Sequence, residues 1–72
     1  MSEKLHEITK QIIEGAELPE KVMRVAFDEI MEGKASPVEL TGFLIGLRMR
    51  GETPDDIAAG ASILREKALK IN

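Results

Sequence analysis

Three glycine-to-proline intervals punctuate this chain and constrain its fold more than any other feature: Gly15 to Pro19, Gly33 to Pro37, and Gly51 to Pro54. Glycine suits the residue that ends a helix, and proline suits the first turn of the next one. The intervals therefore cut the chain into four segments of helical length. Strands find little support, because β-branched residues never alternate with polar ones and the aromatic residues are two Phe. The spacing predicts an all-α fold, a small orthogonal or antiparallel bundle of four helices over about 2–14, 19–32, 37–50 and 54–70.

Each segment carries its own signals. Ser2 is the expected cap of the first helix, Leu5, Ile8 and Ile12 its apolar stripe and Gly15 its end. Pro19 is expected in the first turn of the second, where Val22, Met23, Ala26, Phe27 and Ile30 share one face and Gly33 stops the helix. Ser36-Pro37-Val38-Glu39 reads as a capping box with proline at the first helical position. Thr53-Pro54-Asp55-Asp56 opens the fourth helix by the same logic, its carboxylates lying where the helix dipole favours negative charge. Ile57, Ala61, Leu64, Ala68 and Ile71 are the expected stripe of that helix.

The third helix is apolar on two sides. At 100° per residue, Leu40, Phe43, Leu44 and Leu47 fall within about 100° of one another, while Val38, Ile45 and Met49 cluster roughly opposite. Gly42 and Gly46, four apart, allow another helix backbone to come close, with packing inside the domain as the simplest use of that space. The first face is wide enough to meet the core, so the second needs a different partner, either a fifth helix or a second subunit. In a two-fold pair the same patch meets itself, which suits a short uncharged aliphatic row. Val38, Ile45 and Met49 are accordingly the expected homodimer interface.

Composition narrows the function classes. A chain of 72 residues is one domain near the lower limit for independent folding, and without Cys it has neither disulfides nor thiolate metal sites. The longest charge-free run in a helical segment, Leu40 to Leu47, is far below the roughly 20 residues a bilayer requires, and no signal-peptide core follows Met1, so no membrane association and a cytoplasmic location are expected. The net charge is −3, with eight acidic against five basic residues before Ser36. Arg48, Arg50, Arg65, Lys67 and Lys70 are scattered, and read as solvated helix C-terminal charges rather than a phosphate-binding stripe. The turn at Gly51-Glu52-Thr53 could join a helix-turn-helix, but Asp55 and Asp56 would then face phosphate, so no nucleic-acid partner is expected.

Catalytic signals are lacking. His6 is the sole imidazole, Asp55 and Asp56 point about 100° apart on a helix, and neither a GxGxxG nor a Walker pattern occurs. No catalytic, cofactor-binding or metal-binding residue is assigned.

The order of the elements carries a family resemblance. Phe27-Asp28-Glu29-Ile30-Met31-Glu32-Gly33, Ser36-Pro37, Phe43-Leu44-Ile45-Gly46-Leu47-Arg48-Met49-Arg50-Gly51-Glu52-Thr53 and Ile57-Ala58-Ala59 together resemble the N-terminal helical domain of the anthranilate phosphoribosyltransferase family. The Leu47-to-Thr53 stretch is the most specific part; the related pyrimidine nucleoside phosphorylases share the helical architecture but differ there. The resemblance implies a parent enzyme of tryptophan biosynthesis that transfers phosphoribose from 5-phosphoribosyl 1-pyrophosphate, with Mg²⁺, to the amine of anthranilate. It further implies a partner α/β catalytic domain in the same parent chain. The family's Gly-Thr-Gly-Gly-Asp pyrophosphate loop, acidic Mg²⁺ ligands and anthranilate-contacting arginine have no counterpart between Met1 and Asn72. The chain is thus expected to be a single helical domain over 1–72, an N-terminal fragment of a two-domain enzyme, with no cofactor of its own and no catalysis in isolation. Family members complete this domain with later helices, so part of the apolar surface is expected to be exposed and prone to self-association. A free-standing helical interaction module using the same apolar face is the alternative.

Overall fold

The computed structural model describes residues 3–69, with the Leu69 side chain excluded. The expected cap at Ser2 and the expected roles of Lys70 and Ile71 lie outside the described residues. Four helices follow in order, α1 Glu3–Ile13, α2 Glu20–Met31, α3 Pro37–Arg50 and α4 Pro54–Leu69, and no strand occurs among the described residues. α1 packs against both α2 and α3, and α4 packs against α2.

The helix ends follow from local chemistry. At the end of α1 the Ala16 N–H donates to the Gln11 carbonyl at 3.0 Å and the Gly15 N–H to the Ile12 carbonyl at 2.9 Å. Lys34 and Gly33 repeat this paired arrangement onto Glu29 and Ile30 at the end of α2. Both endings need a left-handed residue, supplied by Gly15 at φ 95° and Gly33 at φ 75°. Pro19 sits one position earlier than expected: with φ −65° and ψ 157° it is the extended residue capping α2, and Glu20 is the first helical residue.

The expected capping box of α3 forms, with the Glu39 N–H donating to Ser36 Oγ at 3.1 Å and the Ser36 N–H to Glu39 Oε1 at 2.9 Å. Ser36→Ala should therefore cost about 1 kcal/mol, and Ser36→Gly only a few tenths. Equal losses in urea denaturation of the two variants would show that the hydroxyl does not hold this helix start.

Leu5, Ile8 and Ile12 of α1, Met23 and Ala26 of α2, and Phe43 and Leu47 of α3 are buried together as the sequence pattern predicts, with Val22, Phe27 and Ile30 packed against them. The Phe27 and Phe43 rings meet edge to face, with centroids 5.6 Å apart and planes at 86°. Two expectations fail. Leu44 was expected in the core but is exposed, because α3 turns Gly46 inward instead. A Cβ on Gly46 would lie 3.2 Å from Ile13 Cγ1 and 3.3 Å from Ile12 Cγ2, so α1 approaches α3 through the missing side chain.

The fourth helix is rotated further from its expected orientation. Ile57 and Leu64 are 62% and 60% exposed, Ala61 and Ala68 are exposed too, and among the described side chains of α4 the buried ones are those of Asp56, Ala59 and Ile63. The cause is at the start of the helix. Asp56 is drawn inward by an arginine, and Ile57, one residue on, is carried about 100° away from the core.

Candidate interaction surface and the buried clamp beside it

Arg50 ends α3 and is no solvated C-terminal charge: its side chain is 4% exposed and that of Asp56 is 2% exposed. The guanidinium donates through Nη2 to Asp56 Oδ2 and through Nη1 to the Ala16 carbonyl at 2.7 Å. Asp56 Oδ2 also accepts from the Thr53 N–H at 3.0 Å, while the Asp56 N–H donates to Thr53 Oγ1 at 3.2 Å. One buried ion pair thus ties together the exit of α1, the end of α3 and the cap of α4. The sequence pattern showed the Thr53 and Asp56 caps but missed the arginine, whose partner lies six residues away across a turn.

Lys67 also departs from the solvated role expected of it. Its Nζ lies 2.8 Å from Glu32 Oε2 and 3.2 Å from Asp28 Oδ1, and beside it Arg24 pairs with Glu66 at 3.3 Å. The hydrogen bond and charge of Lys67 hold the Glu32 carboxyl below its ordinary value of 4.5, and hydrogen bonds to Glu32 and Asp28 hold Lys67 above 10.5. These pairs fasten the second half of α4 to α2. Arg48 and Arg65 remain exposed, as does His6.

The opposite side of α3 carries the expected face. Val38 is 82% exposed, Met49 78% and Ile45 54%, and the first two are the most exposed large apolar side chains among the described residues. Gly42 falls on the same side, and a Cβ built on it meets nothing within 4 Å. The two glycines of α3 therefore differ in use: Gly46 serves the core and Gly42 opens outward. A shallow groove lined by Phe27, Leu44, Ile45, Leu47, Arg48 and Glu52 borders this face.

Among the described residues no group of three or more His, Cys, Asp or Glu side chains could hold a metal ion, so the Mg²⁺ implied for a parent enzyme finds no fitting ligand set here. Asp55 is exposed and Asp56 is committed to Arg50, so the pair does not form a joint carboxylate site. No helix among the described residues is long and apolar enough to cross a membrane.

Four helices with one apolar face of α3 left in water define the class as a small all-α helical bundle. Residues 6–68 match the glycosyl transferase family helical bundle domain, and the chain belongs to that family. Relatives named anthranilate phosphoribosyltransferase are similar over most of its length. That of Paramagnetospirillum magneticum is 45% identical over 67 residues, covering 93% of this chain and 19% of the relative. That of Parvibaculum lavamentivorans is 42% identical over 64 residues, 89% of this chain and 19% of the relative. That of Persephonella marina is 39% identical over 67 residues, 93% of this chain and 20% of the relative. The chain thus spans about a fifth of the length of these curated relatives. No solved structure matches it.

Proposed function

We propose that the chain is the noncatalytic helical domain of an anthranilate phosphoribosyltransferase, serving as its dimerisation unit and as a scaffold for an α/β catalytic domain of the same parent chain. The parent enzyme would transfer phosphoribose from 5-phosphoribosyl 1-pyrophosphate to anthranilate in tryptophan biosynthesis, with Mg²⁺ and both substrates bound by residues other than those of this helical bundle. The observation that carries the dimerisation role is the uncharged outer face of α3. Val38, Ile45 and Met49 leave most of their apolar surface in water, and burial is worth roughly 1.5–3 kcal/mol for each such side chain.

Introducing charge on this face tests the role. Val38→Glu combined with Met49→Asp should give a folded monomer, because both side chains lie outside the core. Light scattering reads the mass and circular dichroism the helix content. A double variant that remains dimeric moves the interface off α3, and one that unfolds assigns the face to the intrachain core.

A further inference from the structure

Gly42 has no explanation within its own fold. It sits inside α3, where glycine is among the least favourable residues, its φ is not positive, and beyond its chain neighbours and the local helix backbone nothing lies within 4 Å of where its Cβ would be. Alanine would fit there and favour the helix. What glycine offers at such a position is close approach of another backbone.

The residues around it indicate which backbone. Val38, Gly42, Ile45 and Met49 follow one another at intervals of four, three and four, the spacing of a helix-packing seam. Laid antiparallel against its own copy, this seam sets Val38 opposite the partner's Met49 and Gly42 opposite the partner's Ile45. The largest gap in the row then receives a branched side chain twice, once from each copy. No charged residue interrupts the seam, so self-pairing opposes no like charges along it.

We infer that Gly42 is the crossing point of an antiparallel, two-fold α3–α3 pair, in which it receives the partner's Ile45 and thereby sets the register and the self-specificity of the dimer. This rests on the assignment of the α3 face as the dimer interface. Sedimentation equilibrium on the full chain over a concentration series reads dimer affinity, and thermal unfolding of the Val38→Glu/Met49→Asp monomer with and without Gly42→Ala reads monomer stability.

Gly42→Ala should weaken the dimer about ten- to a hundredfold through overpacking, yet raise the melting temperature of the monomer. This divergence is one that a residue serving only the chain's own fold would not produce. Gly42→Leu should abolish pairing, and Gly42→Leu with Ile45→Ala, which exchanges large for small across the seam, should restore it. If Val38→Glu/Met49→Asp is monomeric but Gly42→Ala leaves affinity unchanged, or if the exchange restores nothing, the role of Gly42 is overturned while the α3 interface stands. A wild-type chain that is monomeric throughout, or a double variant still dimeric, overturns both.

Discussion

Asp56→Ala will cost the fold about 3–5 kcal/mol, because it leaves the Arg50 guanidinium buried without its counter-ion. The side chain of Arg50 is 4% exposed, so water cannot replace the lost carboxylate without opening the structure. The same substitution removes the acceptor for the Thr53 N–H, and so the reciprocal half of the α4 capping pair, while the backbone N–H at position 56 still donates to Thr53 Oγ1. Small domains have about 5–15 kcal/mol of total stability, so the variant should be largely unfolded under mild denaturation. The remedy is as informative as the damage. Asp56 Oδ1 is buried without a hydrogen-bond partner, so the native pair is itself imperfectly satisfied. Arg50→Met with Asp56→Leu, which replaces both charges by apolar groups, should recover most of the loss. Urea denaturation followed by circular dichroism decides the matter: a single variant within about 1 kcal/mol of wild type would mean that the ion pair is solvated and does not organise the α3–α4 corner.

That corner also marks the limit of what sequence pattern reveals here. Capping by Ser36 and Glu39, the endings at Gly15 and Gly33 and the stripe Leu5, Ile8 and Ile12 are local, each set by residues within one or two turns, and they are legible without a structure. The orientation of α4 is different. Judged by apolar spacing alone, Ile57, Ala61 and Leu64 outweigh Ala59 and Ile63, and the helix should turn the first set inward. One buried ion pair reverses that order, because Arg50 and Asp56 have to meet and the helix is rigid between Asp56 and Ile57. Periodicity assumes that the core is chosen by apolar residues, and here a charged pair chooses it. The glycines of α3 were ambiguous for a related reason. Spacing placed Gly42 and Gly46 together as a possible close-approach site, but only the position of Ile12 and Ile13 assigns Gly46 to α1 and leaves Gly42 outward. The candidate face at Val38, Ile45 and Met49 was legible because α3 is apolar on two sides and one helix cannot turn both toward the same core.

Phe43→Ala will cost about 3–5 kcal/mol, and its effect will differ in kind from that of any change on the outer face of α3. Phe43 is fully buried and its ring stands edge to face against Phe27. Truncation therefore loses both the transfer energy of the ring and the contacts of the atoms that lined it, because the neighbouring helices can collapse only partly into the space. Phe43→Leu keeps most of the volume and should lose less, on the order of 1–2 kcal/mol, including the aromatic pairing. Phe43 lies on the side of α3 away from Val38 and Met49, so a core variant destabilises monomer and dimer alike. It should lower the melting temperature by a similar amount at every protein concentration. An interface variant such as Val38→Glu/Met49→Asp should instead abolish the rise of melting temperature with concentration that linked dimerisation produces, and leave the dilute value nearly unchanged. Melting curves of wild type, Phe43→Ala, Phe43→Leu and the double variant across a hundredfold concentration range would separate the two faces. If Phe43→Ala abolished the concentration dependence while hardly changing the dilute melting temperature, Phe43 would belong to the interface, and the assignment of core and partner sides of α3 would have to be exchanged.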